Sequence, residues 1–318
     1  MSNKKDYIEK LTQAVQQEDL VIFVGAGVSR LIGAPSWRRL AETYLKHLYT
    51  NNAINHSTYE YLSKEGTRKL LSICRQIEKL NGKSPFDIKK AISTRSVSPE
   101  TEYCVSIFSC LYKLSSIFVT TNYDDYIDKE AINKADIKND ENSESQATSS
   151  SGPIFHHYDD ISSTSILKNG HVIHIHGSIN DPKNRELVLT ITDYFKAYND
   201  KASPLPSFLD HIFNEKVVLF VGYGLEEYEI LEYMLKGTNQ SRDVRHFMLY
   251  AVRKEEESFF PIQEKYYADL GIELIKYDIS EIGYRQLYDE VCNLAKKVGS
   301  KARPKNKLSK LKLVDELL

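Results

Sequence analysis

Four apolar runs constrain this chain more than any other feature, because each leads directly into a short motif of glycine, amide or imidazole residues. LVIFV (20–24) runs into GAGVS, SIFVT (116–120) into TNYDD, HVIHI (171–175) into His176-Gly177, and VVLFV (217–221) into GYGL (222–225). A short continuous apolar run suits a central parallel strand, which is buried on both faces and so shows no alternation. The segments around these runs carry a helical period. Ile8, Leu11 and Val15 mark a helix within 4–18, a second is expected over 36–49, and 66–80 has apolar residues at 70, 71, 73, 74, 77 and 80. A further helix is expected over 100–114. LVLTIT (187–192) reads as hairpin or edge-strand material. Helix 226–236, strand 246–252, helix 253–268, strand 272–277 and helix 281–297 then alternate to the end of the fold.

This alternation implies an α/β fold: a Rossmann-like, mostly parallel sheet covered by helices, with a helical insert at about 50–113 between the first and second core strands. One domain is expected over 1–298, with a polar, aperiodic loop at 136–152 and a basic linker or docking tail at 299–318. In an open parallel sheet the carboxyl ends of the strands share one edge, and ligands bind there, where strand order reverses. Glycines, an amide, a carboxylate and an imidazole should therefore converge on one crevice. Gly25 and Gly27 permit a close approach of backbone to ligand, and the N–H groups after them can hold a pyrophosphate; a tight turn without a ligand explains them equally. GAGVS is not the dinucleotide fingerprint, which needs glycine at Arg30. Asn122 and Asp124 open a helix, where such residues also serve as caps. His174 and His176 fall on one strand face by the period of two. A buried structural histidine is the ordinary reading there, but His176 closes its strand ahead of a glycine turn. NGKS (81–84) is rejected as a phosphate loop, because it lacks glycine at Ile77 and is followed by Pro85.

Composition excludes several classes of function. Lys+Arg 42 against Asp+Glu 44 leaves a net charge of −2, which argues against gripping nucleic acid over the whole surface. No apolar run approaches a membrane span, and the opening MSNKKDYIEK has no secretory apolar stretch. The four cysteines, Cys74, Cys104, Cys110 and Cys292, form no CxxC pair. Neither a structural zinc site nor a disulfide framework is expected from them, and a cytoplasmic location fits. Five of the nine histidines lie between 156 and 176, yet a metal site is not expected, because the nearby acids fall in the polar loop.

Together the motifs resemble the sirtuin-like family. GAGVSRLIGAPSW looks like that family's GAGxSxxxGxPxW form, Asn122-Tyr123-Asp124 its Asn-x-Asp element, His176-Gly177 its His-Gly element, and GYGL its second glycine-rich NAD contact. Order and separation agree over roughly residues 5–298. Protein-deacylating sirtuins carry two CxxC zinc pairs, absent here, and GAPSWRRL differs from their GIPDFR. The chain therefore looks more like the bacterial sirtuin-like NAD hydrolases of anti-phage defence. The resemblance implies NAD+ as substrate, no metal, and cleavage of the nicotinamide–ribose bond to nicotinamide and ADP-ribose. By it, Asn122 holds the ribose and the attacking water, His176 is the base, and Asp124 orients the nicotinamide amide or another group of the site. Gly25, Ala26, Gly27 and Ser29 would contact the pyrophosphate, and Gly222, Gly224 and Leu225 would line the adenosine half. Trp37, Thr121 and Tyr223 join the NAD contacts. A homo-oligomer and a partner ATPase or phage sensor are further implications. The alternatives are a non-catalytic NAD or ADP-ribose-binding assembly module and, with less support, a deacylase.

Overall fold

The computed structural model describes residues 6–82, 85–115, 117–132, 154–162, 167–168, 170–224, 228–238 and 246–302. The polar segment 136–152, Leu225 and tail residues 303–318 lie outside the described residues. Seven strands form one sheet: β1 (Leu20–Val24), β2 (Ile117–Thr120), β3 (Ile154–Phe155), β4 (Val172–His174), β5 (Val217–Val221), β6 (His246–Val252) and β7 (Ile272–Asp278). Every pairing is parallel, in the order β3-β4-β2-β1-β5-β6-β7. This is the Rossmann-like α/β fold that the apolar runs imply. All five residues of β1 are buried, as a strand covered on both faces requires. Each large side chain so buried is worth about 1.5–3 kcal/mol relative to exposure.

The helices are α1 (Asp6–Gln16), α2 (Ala26–Leu31), α3 (Trp37–Thr50), α4 (His56–Leu62), α5 (Thr67–Asn81), α6 (Ile88–Ser93), α7 (Pro99–Cys104), α8 (Ile107–Leu114), α9 (126–132), α10 (Ile191–Asn199), α11 (Leu205–Glu215), α12 (Tyr228–Thr238), α13 (Phe260–Ala268) and α14 (Gln286–Ala302). One sheet face buries Leu20, Ile22 and Val24 against Leu11 of α1, Leu111 of α8 and Val291 of α14. The other buries Val21 and Phe23 against Phe208 and Ile212 of α11 and Tyr194 of α10. A third cluster roofs the carboxyl edge of β2 and β4: Leu40 and Tyr44 of α3, Leu70 and Leu71 of α5 and Ile92 of α6 pack with Tyr123, Ile179 and Leu189. Ser36 caps α3 by accepting from the Arg39 N–H, which turns the chain into this roof.

Three expectations change. Residues 187–192 add no strand; Thr190 instead caps α10, with its hydroxyl and the Asp193 carboxylate exchanging bonds with each other's backbone N–H. The strand expected through HVIHIHG to Gly177 ends at His174, three residues early, because the chain turns at 175–176. Cys110 of α8 and Cys292 of α14 form a disulfide, with Cα atoms 5.1 Å apart. Their helices pack side by side over one sheet face, a juxtaposition that spacing along the chain does not reveal. The pairing removes the cysteine argument for a reducing compartment.

Candidate functional site

Strand order reverses between β1 and β5: from β1 the chain moves to β2 and β4 on one side, then returns to β5 on the other. Both glycine turns emerge at that point and are interlocked. Gly27 N–H donates to the Gly222 carbonyl at 2.7 Å, and Gly25 N–H to the Val221 carbonyl at 2.9 Å. A Cβ at Gly25 would lie 2.5 Å from the Gly222 oxygen, and one at Gly222, whose φ is +62°, would lie 2.5 Å from the Val28 nitrogen. The glycines are thus demanded by each other before any ligand arrives. The Gly27 N–H expected on a pyrophosphate is already bonded within the protein.

Asn122 sits where β2 leaves the sheet, and its polar groups are closely tied. Its N–H donates to Thr120 Oγ1 at 3.0 Å, and its Nδ2 donates to the Gly25 carbonyl at 3.0 Å and to Ser29 Oγ at 2.9 Å. The Gly25 carbonyl can only accept, which fixes the orientation of the amide. Both amide hydrogens are then used, so Asn122 can meet a ligand only as an acceptor, through Oδ1. Ser29 in turn donates to Asp124 Oδ2 at 2.7 Å. Burial pushes the Asp124 carboxyl above its ordinary value, against the pull of the Ser29 bond. Ser29, expected on the pyrophosphate, therefore ties Asn122 to Asp124. All three line a small recess of about 40 Å³ with Ala26, Ser36 and Trp37.

His176 lies one turn past β4. Asn122 and His176 each stand two residues beyond the register pair Thr120–His174, so their backbones leave neighbouring strands at the same edge. Their side chains take different partners. His176 is fully buried and turns to α10, its Nε2 2.7 Å from the Tyr198 hydroxyl and its ring edge-on to Tyr194, centroids 4.9 Å apart. Its Nδ1 is buried without a hydrogen-bond partner. Burial, with a smaller push from the Arg68 charge, brings its pKa down to about 3, so the ring is neutral. His174, expected on the same face, turns instead to Asp128 and the Asn122 carbonyl. The turn at 175–176 breaks the period of two.

The main cavity, of about 1140 Å³, opens beside the recess and shares Ala26, Ser36 and Trp37 with it. It runs past Thr121, Gly222, Tyr223 and Gly224 to the ends of β6 and β7. Ordinary ligand pockets span about 300–1,000 Å³, so this one suits an extended ligand. Arg30, Arg38 and Arg68 line its near end, while Tyr250, Tyr267 and Tyr284 line the far end, where Glu256 is the charged residue. Arg68 lies over the Tyr194 ring, 4.1 Å from its centroid. Tyr194 lines the cavity; His176, behind it, does not.

The motif reading missed the arginines, Tyr194, Tyr198 and Asp128. Tyr194 and Tyr198 carry a signal in their i, i+4 spacing, but the strand expected over 187–192 overlaps the first two residues of α10 and no helix is expected after it. Arg68 carries none: it is one of several cations on an amphipathic helix. Among the described residues no group of His, Cys, Asp and Glu is arranged to hold a metal ion, and no helix is long and apolar enough to cross a membrane.

A parallel sheet with two glycine turns meeting at its switch point, and an acceptor amide beside them, defines an α/β protein of the Rossmann-like class. Residues 116–275, half of the chain, match the SIR2-like domain family; the chain belongs to it. It is also similar, at 24% identity over 92% of its length, to the defense-associated sirtuin 2 of Bacillus subtilis, of which it covers 27%. It is similar at 24% identity over 94% of its length to the NAD(+) hydrolase ThsA of Bacillus cereus (strain MSX-D12), of which it covers 58%. The chain thus spans between about a quarter and somewhat over half of these relatives.

Proposed function

We propose that this chain is an NAD+ glycohydrolase, releasing nicotinamide and ADP-ribose. One observation carries the reading: the interlocked turns line a cavity large enough for a dinucleotide, the recess that holds Asn122 adjoins it through Ala26, Ser36 and Trp37, and Arg30, Arg38 and Arg68 line the end formed by α2, α3 and α5. That end suits the pyrophosphate and the nicotinamide ribose, and the aromatic far end suits adenosine. The nicotinamide of NAD+ is cationic and leaves as a neutral base, so no general acid is needed. Water adds to the ribose C1′ carbon, and one of its protons must be removed. Asn122 Oδ1 accepts from that water or from a ribose hydroxyl and so orients the attack. His176 is the base, taking the proton directly or through a ribose hydroxyl. Its buried, neutral ring needs Tyr194 to move aside before it reaches the substrate. Asp124 supports Asn122 through Ser29. Gly25, Ala26, Gly27, Trp37, Thr121, Gly222, Tyr223 and Gly224 form the NAD+ cradle, and Leu225 is assigned with them from the sequence.

The names of the relatives support a role in defence, with NAD+ depletion as its means. A homo-oligomer, and a partner ATPase or phage-sensing protein, belong to the same proposal. The test is product analysis of purified protein with NAD+. Wild type should release nicotinamide and ADP-ribose, and His176→Ala and Asn122→Ala should lose about 10²–10⁴-fold in rate. Undiminished release by both folded variants would remove these assignments. A second reading, a dinucleotide-binding assembly module, gains support from the shielding of His176 by Tyr194. Calorimetric binding of NAD+ without release, alone and with a candidate partner, would favour it.

A further inference from the structure

His174 and Asp128 are buried polar groups that the reaction above does not use. His174 is fully buried and makes two bonds: Nδ1 lies 3.0 Å from the Asn122 carbonyl oxygen and Nε2 lies 2.9 Å from Asp128 Oδ1. We propose that His174, anchored by Asp128, is a positioning residue that holds the backbone carbonyl of Asn122 and so aims the acceptor amide at the substrate. This rests on the glycohydrolase reading for its effect on rate, though not for its geometry.

A backbone carbonyl only accepts, and an ionised carboxylate only accepts. A ring placed between the two satisfies both when each nitrogen carries a hydrogen, which makes His174 an imidazolium. Burial works against that charge, and the Asp128 charge with the bonds to Asp128 and the Asn122 carbonyl outweighs it; the net shift is upward. Asp124 adds to the hold, and the His156 ring lies parallel at 6.3 Å. Together with the Thr120 and Gly25 bonds, this fixes Asn122 from its backbone N–H, its carbonyl and its side chain. His176, two positions beyond His174, has no comparable support, although the period of two would put the two histidines on one face.

The experiment uses the whole chain with ¹⁵N-labelled histidine and asparagine. In wild type at neutral pH, His174 should show two ring N–H signals, and the Asn122 side-chain amide, assigned by its loss in Asn122→Ala, should give one sharp pair. In His174→Phe that pair should shift or broaden. The kcat for nicotinamide release should fall about 10²-fold, the cost of a small misplacement, with KM within about threefold. If His174→Phe does not fold, Asp128→Asn takes its place: one ring N–H signal should disappear and kcat should fall about tenfold. A single ring N–H in wild type, or an unmoved Asn122 pair with unchanged kcat in a folded variant, overturns the proposal. If wild type releases no nicotinamide, the glycohydrolase reading fails, while the ring and amide signals still decide the role of His174.

Discussion

Two corners of the site, each two residues beyond the register pair Thr120–His174 of neighbouring strands, are built in opposite ways. At the Asn122 corner the backbone N–H, backbone carbonyl and both amide hydrogens are committed to the protein, so the acceptor oxygen is fixed before a ligand arrives. At the His176 corner the ring has the Tyr198 hydroxyl on one nitrogen, a buried unpartnered nitrogen on the other, and Tyr194 between it and the cavity. Each corner keeps one buried unpartnered atom, Asp128 Oδ2 behind His174 and Nδ1 of His176, but Asn122 is held by four hydrogen bonds and the His176 ring by one, and the less tied group is the one that can move. On the proposed reading the difference separates two tasks: Asn122 would hold the sugar and needs rigidity, while admitting His176 as the base would be a step at which activity is withheld.

Breaking the rigid corner should have the largest effect. Asn122→Asp keeps an acceptor oxygen but replaces the amide donors with an acceptor facing the Gly25 carbonyl. Release of nicotinamide should drop about 10²–10³-fold, within the range for losing one oriented polar group; near-wild-type rates would show that the amide anchor is immaterial. Next comes the joint between the turns. Gly222→Ala puts a Cβ against the Val28 backbone at a positive φ, and urea denaturation should show a loss of about 3 kcal/mol or more. A smaller loss would mean that the turns separate easily.

The screened corner should respond more gently. Tyr194→Ala opens a path from the cavity to His176, so solvent should reach the ring and raise its titration midpoint above about 3 by one unit or more, as seen by NMR. An unchanged midpoint would mean that Tyr194 is no screen. The last effect is on stability against pH and is absent at neutral pH. His176 has a folded pKa below its unfolded value near 6.5, so its contribution is present above pH 6.5 and is lost as pH falls toward the folded value of about 3. Across that window the stability of His176→Asn should fall less steeply than wild type, by about 1.4 kcal/mol per pH unit. Equal slopes would place a charged ring in the fold. His174 has the opposite sign: its raised pKa stabilises below the unfolded value, and this is lost as pH rises through the folded one.

The core strands were legible because burial on both faces leaves an unbroken apolar run, as in β1 and β5, and because polar motifs after such runs must reach the same edge. That logic placed Asn122, Asp124 and the two turns correctly beside one another. It did not foresee that the glycines would clasp each other, since a turn that cradles a ligand and a turn that packs on another turn ask for the same residue. The histidines were misread because a period of two holds only while the strand lasts, and it stops at His174. The Cys110–Cys292 pair and the Arg68–Tyr194 stack depend on helix packing between distant segments, for which one sequence holds no local signal.

The central claim is that the fixed amide and the screened imidazole act on one bound NAD+. Its most direct test measures nicotinamide release and NAD+ binding together in wild type and Asn122→Ala. The account predicts release by wild type and, in the variant, a loss of at least about 10²-fold in rate with the fold retained. Binding without release in wild type, or equal release by both proteins, would contradict it.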